Sequence, residues 1–127
     1  MKKKIIIASV GFIIVLLAVV IAVFLSDLSG MSDIELRGLN LTSFDDGSYV
    51  GTFEHGRFTN TLIVHVESNE IIGIDIYDDV FAASVTNASD EVFRRVIEVQ
   101  NTRIDAVSGA TATTNAYLKA IENAFMR

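Results

Sequence analysis

Residues 105–114 read Asp-Ala-Val-Ser-Gly-Ala-Thr-Ala-Thr-Thr, a short run of small and hydroxyl-bearing residues directly before a predicted C-terminal helix. A helix N-terminus presents unpaired backbone N–H groups and a partial positive charge, and both suit a phosphate group. Gly109 lets the backbone turn where a Cβ would clash. Ala110 leaves room beside Thr111, whose hydroxyl can then act as an acceptor, a donor or an attachment point. This stretch is therefore the candidate functional site.

The pattern Asp105-x-x-Ser108-Gly109-Ala110-Thr111 resembles the flavinylation motif of the FMN-binding domain family. That family includes small extracytoplasmic subunits of the sodium-translocating NADH:quinone reductase and of the Rnf complex. Its motif threonine carries FMN through a phosphoester bond, which a separate flavin transferase makes from FAD. The resemblance implies that Thr111 bears covalent FMN and that Asp105, Ser108, Gly109 and Ala110 complete the recognition sequence.

A simpler alternative is a loop in which Ser108 or Thr113 caps the following helix and no ligand binds. Three features favour the flavin interpretation over this alternative: Asp105 at its fixed offset, the helix that follows, and the strand-rich segment upstream.

The N-terminus predicts a membrane anchor. Three lysines at positions 2–4 precede residues 5–25, where only Ser9 and Gly11 interrupt an apolar run long enough to span a bilayer as a helix. A cleaved signal peptide has a shorter apolar region and a small-x-small exit, which residues 23–26 (Val-Phe-Leu-Ser) do not offer. The lysines should stay in the cytoplasm. We therefore expect an uncleaved single-pass helix in the cell membrane, with the C-terminal domain outside the cytoplasm.

The chain divides into three predicted parts. Residues 1–25 are the N-terminal lysines and the transmembrane anchor, residues 26–40 are a polar spacer, and residues 41–127 are the extracytoplasmic FMN-binding domain. Apolar residues in the spacer are expected to pack on the domain, namely Ile34, Leu36 and Leu39.

Composition excludes several classes of function. There are no cysteines, which excludes disulfides, thiolate metal sites and iron–sulfur ligation. After the three N-terminal lysines, the chain holds 16 acidic and seven basic residues, a formal charge of −9. Such an acidic surface disfavours binding to nucleic acid or to an anionic lipid surface.

Three stretches predict the strands of an antiparallel meander, at residues 48–54, 59–67 and 71–77. The first overlaps residues 46–52 (Asp-Gly-Ser-Tyr-Val-Gly-Thr), which are similar to an Asp-Gly-x-Tyr-x-Gly opening common in the FMN-binding family. The predicted apolar faces are Tyr49, Gly51 and Phe53; Leu62, Val64 and Val66; and Ile72, Ile74 and Ile76.

Two helices are predicted after the strands, at residues 90–100 and 113–126, with an irregular segment at 78–88 before them. Their apolar faces are Val92, Phe93, Val96, Ile97 and Val99 on the first, and Thr114, Tyr117, Leu118, Ala120, Ile121 and Phe125 on the second. The predicted fold class is α+β: an antiparallel sheet with two packed helices, preceded by one N-terminal transmembrane helix.

The sequence departs from the family at two places. Many members have Gly-Pro and Thr-Pro-Gly segments where this chain reads Arg-Phe-Thr-Asn at 57–60 and Val-Phe-Ala-Ala-Ser at 80–84. The second segment often helps to line the flavin, so the resemblance does not carry the ring environment or redox potential over to this chain. Among the aromatic residues that could stack on an isoalloxazine, Phe81 is preferred, and core packing is expected for most others, namely Tyr49, Phe53, Phe58 and Tyr77.

Other polar residues give weaker signals. His55 and His65 are the only histidines, and each is interpreted as a surface residue with no role. The carboxylate pairs at 45–46 and 78–79 lack the pattern of a calcium loop and are expected to be solvated.

The residues and the resemblance together predict a membrane-anchored flavoprotein electron carrier. Its expected partners are the flavin transferase and a membrane redox donor, either a quinol or another redox subunit. It would be an electron-transfer component rather than an enzyme with its own substrate. The alternative is an anchored binding module that holds FMN non-covalently or binds another ligand or a partner protein.

Overall fold

The computed structural model describes residues 1–80 and 88–126. It confirms the α+β fold class, with three antiparallel strands, two further helices and an apolar N-terminal helix. A short 3-10 helix at Gly56–Phe58 joins the first two strands. The elements in chain order are α1 Lys2–Leu28, β1 Gly47–Phe53, β2 Asn60–Glu67, β3 Glu70–Asp79, α2 Ala88–Val99 and α3 Thr111–Ala124.

The helix α1 is long and apolar enough to cross a membrane. Its 27 residues extend about 40 Å at 1.5 Å per residue, and none of them is buried. The hydroxyls of Ser9 and Ser26 donate to backbone carbonyls of the same helix, at 2.9 and 2.8 Å. These internal bonds satisfy the two polar side chains that a bilayer could not.

The sheet has the order β1-β2-β3, with both pairs antiparallel. Strand β2 is central and alternates as expected, since Leu62, Val64 and Val66 are buried and the intervening side chains are not. One face of the sheet is therefore covered by α2 and α3, whereas the other carries exposed residues such as Val50 and Tyr77.

The register of β3 corrects one predicted face. Ile71 pairs with Val66 and Gly73 pairs with His65, so Ile72 falls in a bulge between them. Ile71 is 1% exposed and Ile72 is 57% exposed. The prediction that Ile72 faces the core was wrong, because one inserted residue reverses the alternation of side chains.

Close packing of α3 on β1 depends on Gly51. A Cβ at this position would lie 1.9 Å from the Ala120 carbonyl oxygen and 2.7 Å from the Ala124 nitrogen. The predicted apolar face of α3 is confirmed, with Leu118 and Ile121 completely buried. The helix begins at Thr111, two residues earlier than predicted, and this places the motif threonine in its first turn.

Helix α2 buries Val92, Phe93 and Val96, whereas Val99 is 54% exposed and its predicted place on the buried face was wrong. The helix ends at Val99, and Gln100 adopts a left-handed conformation with φ of 55°. The Gln100 side chain accepts a hydrogen bond from the Ile71 N–H at 2.6 Å and donates one to the Ile71 carbonyl at 2.9 Å. It thus supplies both hydrogen bonds that a neighbouring strand would offer there.

The segment between α1 and β1 lies on the domain. Met31 is buried, and its carbonyl accepts a hydrogen bond from the Asn115 side chain at 2.8 Å. The buried Glu122 carboxylate accepts from the Gly38 N–H at 2.9 Å and from the Thr102 hydroxyl at 2.6 Å. The expected packing of its apolar residues is confirmed for Ile34, Leu36 and Leu39.

Candidate functional site

The residues of the motif form a tight turn before α3, which we call the motif loop (residues 105–110). Gly109 has φ of +78°, a conformation that disfavours any side chain. The expected clash was wrong, because a Cβ at this position would meet open space. The Ala110 N–H closes the turn on the Val107 carbonyl at 2.9 Å. The glycine of the motif is therefore required by the backbone.

The side chain of Thr114, in the first turn of α3, holds the backbone of this loop through two hydrogen bonds. Its buried hydroxyl donates to the Ala110 carbonyl at 2.7 Å and accepts from the Val107 N–H at 3.2 Å. Both ends of the turn are thereby held by one side chain of the first helical turns.

The N-terminus of α3 has no side-chain cap. Ala110 occupies the capping position and offers no side-chain acceptor, so the prediction that Ser108 or Thr113 would cap the helix, made under the simpler alternative, was wrong. Thr111 is the first helical residue and is exposed. The first turn therefore keeps backbone donors and a partial positive charge for an anion, beside an accessible hydroxyl.

Asp105 and Ser108 are also exposed. The Asp105 backbone is held by Arg95 of α2, whose Nη1 donates to the Asp105 carbonyl oxygen at 3.1 Å. The Glu91 carboxylate in turn accepts a hydrogen bond from Arg95 Nε at 2.7 Å. Hydrogen bonds from Arg94 and Arg95 keep the pKa of Glu91 below its usual value. Within the described residues, no hydrogen bond reaches the exposed Asp105 carboxylate.

A cavity of about 670 Å³ lies beside the motif loop. This volume is within the range of small-molecule sites. It is bounded by the end of α1, the turn after it, the short 3-10 helix and the first turn of α3. The lining residues are Phe24, Leu28, Met31, Ser32, Arg57, Phe58, Gly109, Ala110, Thr111, Ala112 and Thr113.

Two of these lining residues, Arg57 and Phe24, were missed by the sequence interpretation. The Arg57 guanidinium carbon lies 3.7 Å from the centroid of the Phe24 ring and 4.9 Å from that of Phe58. The sequence does set Arg57 apart, because it is the only lysine or arginine between Arg37 and Arg94 in an acidic chain. No local signal linked Phe24, in the apolar run, to a site that includes Thr111.

The aromatic candidates are spread over the molecule. Phe58 lines the cavity, whereas Tyr49 packs against Phe44 and Phe125 with centroids 5.5 and 5.2 Å away. Tyr77 is 75% exposed on the outer face of the sheet. The preferred residue Phe81, with the rest of segment 81–87, lies outside the described residues, so its role stays a prediction.

The remaining polar candidates are not at the cavity. His65 bridges strands on the outer sheet face, with Nδ1 2.8 Å from the Ser48 hydroxyl and Nε2 2.8 Å from Asp75. Asp79 is not simply solvated, as was expected, because it accepts a hydrogen bond from the buried Tyr117 hydroxyl. In the parts of the chain that the structure describes, no group of three or more His, Cys, Asp or Glu residues could hold a metal ion.

The model of the FMN-binding domain family matches residues 56–126. This chain belongs to the FMN-binding domain family. The FMN-binding domain match begins at the short 3-10 helix, so it includes Arg57 and the whole motif loop but not α1. A comparison with curated proteins gives no match.

The site has the chemistry that FMN requires. The uncapped N-terminus of α3 has backbone donors that suit a phosphate, and the exposed Thr111 lines the same cavity as Arg57. Phe58 adds an apolar ring to the cavity wall. These residues fit the FMN-binding domain assignment.

Proposed function

We propose that this protein is a membrane-anchored, extracytoplasmic flavoprotein electron carrier with FMN covalently attached through its phosphate to Thr111. The observation that supports this most directly is the position of Thr111. It is an exposed hydroxyl at the uncapped first turn of a helix, beside a cavity, in the Ser-Gly-Ala-Thr sequence of an FMN-binding domain.

The protein's own contribution is to hold the cofactor. The first-turn N–H groups of α3 stabilise the single negative charge that a phosphodiester keeps, worth about 0.3–1 kcal/mol where exposed. Gly109 and Thr114 set the loop conformation that presents Thr111. Bound FMN supplies the redox chemistry. A covalent bond suits an extracytoplasmic protein, because a flavin that dissociated there would be lost by dilution.

The proposed partners follow from the exposed residues and from α1. A flavin transferase would read Asp105 and Ser108, whose side chains are accessible. Helix α1 would anchor the chain, with Lys2, Lys3 and Lys4 on the cytoplasmic side. The electron donor would be a quinol or another redox subunit of the membrane.

Orientation has a direct test. Protease added to intact spheroplasts should remove the domain and leave α1 in the membrane. Digestion that occurs only after lysis would show that the domain lies in the cytoplasm.

The alternative function is a binding module that holds FMN without a covalent bond, or holds another ligand or a partner protein. The colour of the purified full chain separates these ideas, provided that the flavin transferase is co-expressed. Yellow that survives denaturation supports attachment, and yellow that is lost supports non-covalent binding of FMN. A colourless protein contradicts both flavin hypotheses and favours another ligand or a partner protein.

Peptide mass spectrometry tests the attachment residue. Tryptic cleavage at Arg103 and Lys119 releases residues 104–119. In the wild-type chain, the FMN mass should lie on Thr111 of this fragment. Thr111→Val is nearly isosteric and removes only the oxygen, so it should fold normally and carry no covalent flavin, whereas Thr111→Ser retains a hydroxyl and should be modified in part. FMN on Ser108 or Thr113, or FMN that persists in Thr111→Val, would contradict the assignment.

A further inference from the structure

The C-terminal end of α1 lies where its apolar span ends. Residues 5–25 form this span, and at 1.5 Å per residue they extend about 31 Å, which matches the roughly 30 Å hydrocarbon core of a bilayer. The helix continues without a break to Leu28, about 4.5 Å further along its axis. The head-group layer on each side of the core is about 5–7 Å thick. In a bilayer that α1 crosses, Phe24 therefore lies at the edge of the core and Leu28 within the head-group layer.

This end of α1 packs directly against the short 3-10 helix of the domain. The Asp27 carboxylate accepts a hydrogen bond from the Arg57 backbone N–H at 3.4 Å. Gly56 has φ of +51°, and a Cβ there would lie 2.4 Å from Asp27 Oδ1. The Arg57 guanidinium carbon lies 3.7 Å from the centroid of the Phe24 ring. The 3-10 helix is therefore in contact with the part of α1 that reaches the membrane surface.

The segment directly after α1 belongs to the core of the domain. Met31, three residues beyond the end of α1, is 1% exposed and packs with Phe58 and Ala116. Its carbonyl accepts a hydrogen bond from the Asn115 side chain at 2.8 Å. Leu28, the last residue of α1, packs against the same cluster. The domain is therefore fixed to the end of α1 and is not suspended from it by a linker.

The cavity beside the motif loop is part of this junction. Phe24 and Leu28 line it from α1, while Gly109, Ala110 and Thr111 line it from the motif loop and α3. The two residues of α1 that lie at the membrane surface are thus walls of the cavity that contains the candidate attachment residue.

We infer that the domain rests on the outer head-group layer of the membrane, with the cavity beside Thr111 held at the bilayer surface. The contact is set by α1 and not by charge, because Asp27 and Arg57 at the junction are opposite in sign and the chain beyond its N-terminal lysines is acidic. The inference rests on the part of the proposed function in which α1 crosses the membrane, and it does not depend on covalent attachment. A redox partner of the site then meets it at the membrane surface.

Fluorescence quenching by labelled lipid tests this placement. The chain has no cysteine, so a fluorophore can be attached at one introduced cysteine. Full chains with Thr111→Cys, Ser29→Cys or Ser68→Cys, all at exposed positions, would be expressed without the transferase and placed in phosphatidylcholine vesicles that contain a head-group nitroxide lipid. Ser29 directly follows α1 and reports the membrane surface. Ser68 is the control, because it follows β2 about 23 Å along the strand from Asn60, which lies next to the 3-10 helix.

The expected result is that the nitroxide quenches the label at position 111 nearly as strongly as the label at 29, and the label at 68 several-fold less. Quenching at 29, together with a label at 111 that is quenched no more than the label at 68, would overturn the inference alone. Absence of quenching at 29 would show that α1 does not hold the chain in the bilayer, which would contradict the proposed anchor and this inference with it.

The contact between α1 and the 3-10 helix is tested by Gly56→Ala, with Gly47→Ala as the matched control, each in the chain labelled at position 111. Both glycines have positive φ, but a Cβ at Gly56 would overlap Asp27, whereas a Cβ at Gly47 would meet open space. With circular dichroism to confirm folding, we expect Gly56→Ala to lose most of the quenching and Gly47→Ala to keep it. Equal quenching would show that this contact does not hold the cavity at the bilayer. The comparison of the three labels stands whether or not Gly56→Ala folds.

Discussion

The Thr114 hydroxyl receives the backbone N–H of Val107 at 3.2 Å, across the turn that presents the motif threonine. The same oxygen donates to the Ala110 carbonyl at 2.7 Å. Thr114 is completely buried, so water cannot replace either bond. One helical side chain therefore controls the shape of a loop whose own residues are small and mostly exposed.

Thr114→Ala should reduce the fraction of chain that carries covalent flavin without moving the attachment point. Loss of the hydroxyl leaves the Val107 N–H without its acceptor and costs about 1–3 kcal/mol locally. Thr42→Ala is the control, because Thr42 is an exposed threonine that does not line the cavity at Thr111. Intact-mass measurement after co-expression gives the modified fraction. Equal fractions in both variants would show that the loop does not need Thr114.

Asp105→Ala should give a folded protein with little covalent flavin. The carboxylate is exposed and no hydrogen bond from the described residues reaches it, so its removal should not destabilise the domain. Its proposed role is recognition by the transferase. The measurement compares flavin content with the thermal unfolding midpoint of the same samples. Full flavinylation with an unchanged midpoint would show that the transferase does not read Asp105.

Arg95→Ala should lower flavinylation more than Arg94→Ala. Both arginines bond to Glu91, but only Arg95 also donates to the Asp105 carbonyl, at 3.1 Å. Removal of Arg95 therefore frees the start of the motif loop, whereas removal of Arg94 leaves it held. The rate of flavin incorporation with purified transferase gives the comparison. Indistinguishable rates would indicate that α2 does not orient the motif.

Local patterns were sufficient to predict much of the fold. In β2, the alternation of Leu62, Val64 and Val66 determines the buried face, and the structure has it. The adjacent pair Ile71 and Ile72 allows either phase of β3. The structure selects Ile71, whose backbone bonds to the Gln100 side chain from 29 positions further along the chain. The alternation of side chains along β3 contains no information about Gln100, so it could not predict which isoleucine is buried.

In the candidate site too, local sequence predicts some features, whereas others depend on contacts between distant residues. The motif itself could be read from residues 105–111, and the turn at Gly109 follows from its sequence. Arg57 and Phe24 are distant from the motif in sequence and reach the cavity only because α1 docks on the short 3-10 helix. Such a contact depends on tertiary packing, so neither composition nor spacing predicts it.

Gly51→Ala should destabilise the domain by about 1–3 kcal/mol or more, since the added methyl group would overlap the α3 backbone at Ala120. Gly73→Ala is the matched control in the same sheet, because its Cβ would meet only His65 Cδ2 at 3.5 Å, an ordinary contact. Thermal unfolding of the detergent-solubilised chains should show a lower midpoint for Gly51→Ala. Equal midpoints would mean that α3 moves away at little cost.

The buried Tyr117 hydroxyl predicts a specific response to alkaline pH. Burial, followed by its hydrogen bond to the Asp79 carboxylate, raises the pKa of Tyr117 well above its usual value of 10. In the unfolded chain this phenol ionises near pH 10, while in the folded chain it stays protonated. Its contribution to stability is therefore complete below pH 10. Above that pH, the free energy of unfolding falls by about 1.4 kcal/mol per pH unit until the folded pKa is reached.

Tyr117→Phe cannot ionise, so it should lack this slope. At pH 8 the variant should be less stable than the wild type by about 1.5–3 kcal/mol, because a hydrogen bond to a charged group is lost. The difference should shrink as the pH rises above 10. Denaturant unfolding of the full chain in detergent, followed by circular dichroism from pH 8 to 11, measures it. Tyr77→Phe, at an exposed tyrosine, should follow the wild type throughout. A stability gap between Tyr117→Phe and the wild type that stays constant over this range would contradict the raised pKa, because all other groups titrate alike in the two chains.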